Sequence, residues 1–149
     1  MGYEHTHITG QKGMHGVATV SRFPIEPLED QGICFKEEAR HQRMRIEGVE
    51  IQNYYIPAGG DEPDPDTNPR FAHKLDFVGK LATYFENRRA EDSDIVAVGD
   101  FNIAPKEHDV WSHKQLLKVV SHTPVEVDAL NRAQSVGQFV DVALSLIHI

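Results

Sequence analysis

The sequence is short of thiols, of basic charge and of long apolar runs. Its one cysteine, Cys34, rules out an intramolecular disulfide and a structural zinc site built on several thiolates. No apolar stretch approaches the roughly 20 residues that span a bilayer, so no membrane contact is expected. The N-terminal Met1-Gly2-Tyr3-Glu4-His5 has neither the basic nor the apolar region of a secretory signal. These absences favour the cytoplasm. Lys and Arg number 15 against 23 Asp and Glu, so the formal charge is 15 − 23 = −8. That balance argues against a chain that coats nucleic acid nonspecifically. Repeats and low-complexity tracts are also missing. What is present is 149 residues, 40% hydrophobic and 26% charged, which is too apolar for a disordered chain and suits one globular domain.

Proline and glycine punctuate the chain. Gly16-Val17-Ala18-Thr19-Val20-Ser21 is β-prone and bounded by Phe23-Pro24, so it reads as a strand. Residues 24–32 read as a polar loop. Ile46-Glu47-Gly48-Val49-Glu50-Ile51-Gln52-Asn53-Tyr54 alternates apolar and polar, the pattern of one half-buried strand. Residues 61–68 form an acidic loop that leads to a helix start, with Asn68 as N-cap and Pro69 at the first helical position. Phe71, Leu75, Val78, Ala82 and Phe85 then recur at helical spacing to about Arg89, with Lys74, Lys80, Glu86 and Asn87 on the other face. Thr123-Pro124-Val125-Glu126 has the form of a capping box that opens a second helix. Ala129, Leu130 and Ala133 mark its inner face and Gly137 its stop. Phe139-Val140-Asp141-Val142 has the look of a further strand start. Pattern alone therefore stops at a chain with both helices and strands, without strict βα alternation.

The informative segment is Ile95-Val96-Ala97-Val98-Gly99-Asp100-Phe101-Asn102. The short apolar run predicts a central strand buried on both faces. Such a strand is a rigid support for a carboxylate and an amide just past its end. Gly99 lets the backbone approach closely or turn sharply. Asp100 suits a hard cation or an oriented water. Asn102 suits a phosphoryl oxygen as negative charge develops on it. On spacing alone, an ordinary Gly-Asp-x-Asn turn after a strand is the better explanation of these residues.

Five ordered segments resemble the exonuclease III and AP endonuclease branch of the endonuclease/exonuclease/phosphatase superfamily. Gly99-Asp100-Phe101-Asn102-Ile103-Ala104-Pro105 resembles its catalytic strand end. Gly10-Gln11-Lys12-Gly13-Met14-His15-Gly16-Val17-Ala18 is similar to an early sheet strand, and Asn53-Tyr54-Tyr55-Ile56-Pro57-Ala58-Gly59 to the strand with the catalytic tyrosine. Phe71-Ala72-His73-Lys74-Leu75-Asp76-Phe77 resembles the following helix, and Asp109-Val110-Trp111-Ser112-His113-Lys114 the loop after the catalytic aspartate. The likeness implies a partial two-sheet β-sandwich flanked by helices, over residues 1–143. It implies that Asp100 activates water or protonates the leaving oxygen, that Asn102 holds the scissile phosphate and the aspartate, and that Tyr55 contacts the phosphate. Asp100, helped by Asn102, would also be this chain's share of a metal site.

The implied parent is a Mg²⁺-dependent DNA-repair phosphodiesterase of base excision repair, an exodeoxyribonuclease III with AP-endonuclease activity; Mn²⁺ is the alternative ion. Its substrate would be double-stranded DNA with abasic sites or 3′ ends, and the protein a monomer. An acidic chain is no obstacle, since a nuclease metal site needs carboxylates. Two departures stand out. Ala58 replaces a residue that is often polar in relatives, so no side-chain DNA contact is expected there. The family's N-terminal asparagine and metal-anchoring glutamate are expected before Met1, and its later aspartate and closing aspartate–histidine pair after Ile149. The chain alone is accordingly expected to be inactive. Leu144-Ser145-Leu146-Ile147-His148-Ile149 resembles the translation of a transposon end used in sequencing libraries, so residues 144–149 are read as a non-native tail. Two alternatives to the nuclease stay open. One is another phosphoesterase of the superfamily, acting on phospho-sugars, phosphoinositides or sphingolipids. The other is a non-catalytic fragment with weak DNA binding.

Lesser candidates complete the reading. His5-Thr6-His7 puts two imidazoles on one strand face, without a third metal ligand at suitable spacing. Arg40, His41, Arg43 and Arg45 form a basic cluster that suits DNA phosphates, or a solvated face beside Glu37 and Glu38. Lys12 also suits a phosphate, and Trp111 suits either packing or DNA. Cys34 reads as an inert core thiol.

Overall fold

A computed structural model of the chain describes residues 2–142 except Gln31, Phe35, Ala90, Asp92 and Ser93. The suspected tail, residues 144–149, lies outside the described residues. Two compact units are present: Met1–Pro57 with Asp92–Asn102, and Ala58–Glu91 with Ile103–Ile149.

The first unit holds two sheets. Strands β1 (His5–Gly10) and β2 (Gly16–Ser21) form an antiparallel pair. A Cβ on Gly16 would lie 2.7 Å from the Thr9 carbonyl oxygen, so only glycine fits where β2 begins. Strands β3 (Glu26–Leu28), β4 (His41–Ile46), β5 (Val49–Tyr55) and β6 (Ile95–Asp100) form the second sheet in that order. Only the β5–β6 pair is parallel. Polar side chains stitch the sheets together. Gln42 on β4 donates to the His7 carbonyl and Thr9 hydroxyl oxygens, each at 3.1 Å, and Asn53 on β5 donates to the Ala18 carbonyl at 3.1 Å.

Three expectations change here. Residues 24–32 are not wholly loop, because β3 lies within them. The single strand expected from Ile46 is the end of β4, a two-residue turn and then β5. Glu47 and Gly48 form the turn with φ of 50° and 84°, the left-handed pair that a tight hairpin requires. The alternation of β5 is present, but its polar side is the more buried one: Glu50, Gln52 and Tyr54 are all buried. They tolerate this because they bond one another. Arg43 Nε donates to Glu50 at 3.0 Å, Gln52 Nε2 donates to Glu50 at 2.6 Å, and the Tyr54 hydroxyl donates to Gln52. Finally, among the described residues β6 pairs on one side only, with Val96 and Val98 exposed at 42% and 41%. It is an edge strand and not the doubly buried one that its apolar run predicts.

The second unit is helical. Helix α1 (Pro69–Arg88) begins as expected, with Asn68 Oδ1 accepting from Arg70 N at 3.0 Å and Pro69 in the first turn. Its buried face is Phe71, His73, Lys74, Phe77, Val78, Leu81, Ala82 and Phe85. Leu75 is only half-buried, while Lys74, expected on the outer face, is fully buried. The Lys74 ammonium is held by Glu126 Oε1 at 2.5 Å, the Ala58 carbonyl at 3.2 Å and Ser121 Oγ at 3.3 Å. A short 3-10 turn (Glu107–Asp109) and helix α2 (His113–Leu116) precede α3 (Pro124–Gly137). The Thr123–Glu126 capping box is present. At the other end Gln138, not Gly137, takes the left-handed cap, with φ 57°. Gly137 is needed for another reason: a Cβ there would lie 2.7 Å from the Phe139 ring and 2.9 Å from Phe85. Phe139 instead stacks at 4.4 Å on Phe85, and residues 139–142 form no strand. The fold class is α/β with two sheets and helices, as the resemblance implies. Among the described residues no helix is long and apolar enough to cross a membrane.

Candidate active site

Parallel strands open their carboxyl ends at the same sheet edge, where ligands are commonly bound in such sheets. Here β5 ends at Tyr55 and β6 at Asp100, and these two residues are register partners. Gly99 makes the approach possible. Its φ is +123°, and a Cβ would lie 2.0 Å from the Tyr54 carbonyl oxygen. Gly99→Ala should therefore lower unfolding free energy by about 1–3 kcal/mol, the cost of strained backbone, as a urea melt would measure.

Beyond Asp100 the chain turns in a fixed way. Asp100 Oδ1 accepts from Asn102 N at 3.0 Å, and Asn102 takes a left-handed φ of 51°. The Asn102 amide then donates to the Ile56 carbonyl at 2.9 Å, while Ile56 N donates to the Asp100 carbonyl at 2.9 Å. The amide thus bridges the continuations of both strands. Asp100 is exposed, and Tyr55 and Asn102 are half-buried. A solvent-facing carboxylate, an amide and a phenol are gathered at one strand edge.

Tyr55 has neighbours that the sequence did not point to. The Arg40 guanidinium lies 4.8 Å from the centre of its ring, and the His15 ring meets it edge-on at 6.0 Å. Arg40 is itself fixed: Nε donates to Glu38 at 2.5 Å, Nη1 to the Tyr55 carbonyl at 3.4 Å, and Nη2 lies 3.5 Å from His15 Nδ1. The basic cluster of the sequence is therefore dispersed among acidic partners. Arg43 pairs with Glu50, Arg45 with Glu26 at 3.5 Å, and His41 with Asp30 at 2.8 Å. Tyr54 faces the other way, buried and stacked on His41 with ring centres 4.5 Å apart.

The family model described as the Endonuclease/Exonuclease/phosphatase family matches residues 2–140. The chain belongs to this family. An AP endonuclease from Archaeoglobus fulgidus superposes with a TM-score of 0.78 and 28% identity, over 95% of this chain and 53% of that one. Exodeoxyribonuclease III of Haemophilus influenzae is 26% identical over 117 residues, which is 74% of this chain and 42% of that protein. A 3′-5′ exonuclease from Neisseria meningitidis shares the fold, with a TM-score of 0.77 at 23% identity, over 89% of this chain and 51% of that one. This member of the endonuclease/exonuclease/phosphatase family thus spans about half the length of the relatives it matches.

The family likeness raises the question of a metal. A hard cation takes about six oxygen ligands, several of them carboxylates. Asp100 offers one carboxylate and Asn102 one amide oxygen. Among the described residues, no three His, Cys, Asp or Glu ligand atoms come together with Asp100. These residues alone therefore do not fit a Mg²⁺ or Mn²⁺ site. Of the lesser candidates, Lys12 is exposed, Trp111 is 75% exposed, Cys34 is buried, and His5 and His7 are half-buried on one face of β1.

Proposed function

We propose that this chain is part of a DNA-repair phosphodiesterase, in which water attacks a DNA phosphodiester beside an abasic site or at a 3′ end. The observation that carries the reading is the pairing of Tyr55 with Asp100 at the ends of β5 and β6, closed by the Asn102–Ile56 bond. Asp100, exposed and held by the Asn102 backbone, is placed to take a proton from water or give one to the leaving oxygen. Asn102, with its side chain locked to Ile56, holds that carboxylate and the phosphate in a constant relation. The Tyr55 hydroxyl supplies a further contact to the phosphate, and Arg40 keeps its ring in place. A divalent cation, Mg²⁺ or Mn²⁺, belongs to the proposal as a partner of Asp100 whose other ligands are not among the described residues. The substrate class is double-stranded DNA, the protein a monomer, and its compartment the cytoplasm.

The test is an abasic-site incision assay on the full-length gene product, with phosphoinositide and phospho-sugar substrates in parallel. Cleavage of the DNA alone supports the reading. Hydrolysis of the other substrates in preference to DNA overturns it. A smaller effect is expected next to the site. Arg40→Met keeps the length of the side chain but removes the cation over Tyr55, worth about 0.5–2 kcal/mol. Turnover should fall a few-fold with little change in KM, and Tyr55→Phe in that background should add less than it does alone.

A further inference from the structure

Two imidazoles that the proposed reaction does not use converge in the second unit. His113 Nδ1 and His122 Nε2 lie 2.9 Å apart, with the rings edge-to-face. His122 is held from behind, and His113 faces a carboxylate. His122 Nδ1 lies 2.7 Å from the Ala104 carbonyl oxygen, which only accepts, so that nitrogen carries the proton and Nε2 presents its lone pair. His113 Nε2 lies 3.7 Å from Glu107 Oε1. A remote nitrogen bonded to a carbonyl, with the near nitrogens of two rings converging, is the arrangement that orients metal-ligating imidazoles.

The surroundings suit an ion. Both rings line a cavity of about 270 Å³, together with Glu107 and Asp128. His122 is buried, while the His113 side chain is 40% exposed and leaves a path from solvent. Two nitrogens on a tetrahedral Zn²⁺, each about 2.0–2.1 Å from it, would stand about 3.3 Å apart. The rings need to part by only about 0.4 Å to admit it. Imidazole selects Zn²⁺, Ni²⁺ or Cu²⁺ over hard cations.

We propose that His113 and His122 form a two-histidine site for a borderline divalent cation such as Zn²⁺, with water completing its shell. Binding needs the His113 proton on Nε2, the nitrogen that faces Glu107, so that both near nitrogens present lone pairs.

The experiment is a titration of the 149-residue chain with Zn²⁺, following the imidazole ¹⁵N signals by NMR. Resonances of His113 Nδ1 and His122 Nε2 should shift together, saturating at one ion, and a tenfold excess of Mg²⁺ should not reverse the change. His113→Gln, at the more exposed position, should abolish the His122 shift while the rest of the spectrum stays folded. Glu107→Met, which removes the acceptor and keeps the length of the side chain, should weaken binding by about tenfold. Zn²⁺ shifts confined to other histidines, such as His5 and His7, would overturn the proposal. So would an unchanged His122 shift in the His113→Gln chain.

Discussion

Replacing Asp100 by asparagine in the full-length gene product should cut abasic-site incision by about 10²–10⁴-fold, roughly 3–5 kcal/mol of barrier. An amide neither takes the proton of water nor gives one to the leaving oxygen. The fold should survive, because the exposed side chain makes one local bond to Asn102 N, which an amide oxygen also accepts. Circular dichroism and a thermal melt would therefore be unchanged while turnover is lost. Incision at the wild-type rate by a folded Asp100→Asn protein would remove Asp100 from the chemistry. Asn102→Ala should act differently. It breaks the link to Ile56, so it disturbs the strand ends as well as activity.

The largest loss of stability is expected from Lys74→Met. Both Lys74 and Glu126 are 0% exposed, and the carboxylate also accepts from Ser121 N at 2.9 Å, Thr123 N at 3.2 Å and Thr123 Oγ1 at 2.5 Å. Methionine fills the space of the lysine stem but leaves a buried charge without its cation. Breaking a buried pair from one side costs about 3–5 kcal/mol. Chemical denaturation of the 149-residue chain should show that drop. The double variant Lys74→Met with Glu126→Gln should recover part of it, because the charge is gone while the bonds from Ser121 and Thr123 can persist. A single-variant loss below about 1 kcal/mol would mean that those N–H groups satisfy Glu126 unaided.

Helix α1 was readable because its signals are local: Asn68-Pro69 marks the start, and Phe71, Leu75, Val78, Ala82 and Phe85 recur at helical spacing. The Thr123–Glu126 box was readable for the same reason. Strand β4 was not, since HQRMRI has no apolar alternation, and its buried Arg43 is explained only once Glu50 on β5 lies beside it. The depth of Lys74 was hidden likewise, because Glu126 is far along the chain. At the site, the residue types Tyr55, Asp100 and Asn102 came from likeness to a family. Spacing alone favoured an ordinary turn. The Asn102–Ile56 bond joins residues 46 apart, and Arg40 over Tyr55 follows from strand pairing, so neither leaves a mark in any short window.

The two-residue Glu47-Gly48 turn also sets an order in time. It lets β4 and β5 close against each other as a hairpin, an event of about 1–10 μs. That single closure brings the Arg40 carbonyl to Tyr55 N. Asp100 reaches its partner Tyr55 only after the 44 intervening positions have found their place. Long-range parallel pairing is slow because the chain loses loop entropy before any contact compensates. The tyrosine end of the site is therefore assembled early and the carboxylate end late, so a nascent chain carries a completed Tyr55 platform well before it carries a reactive centre.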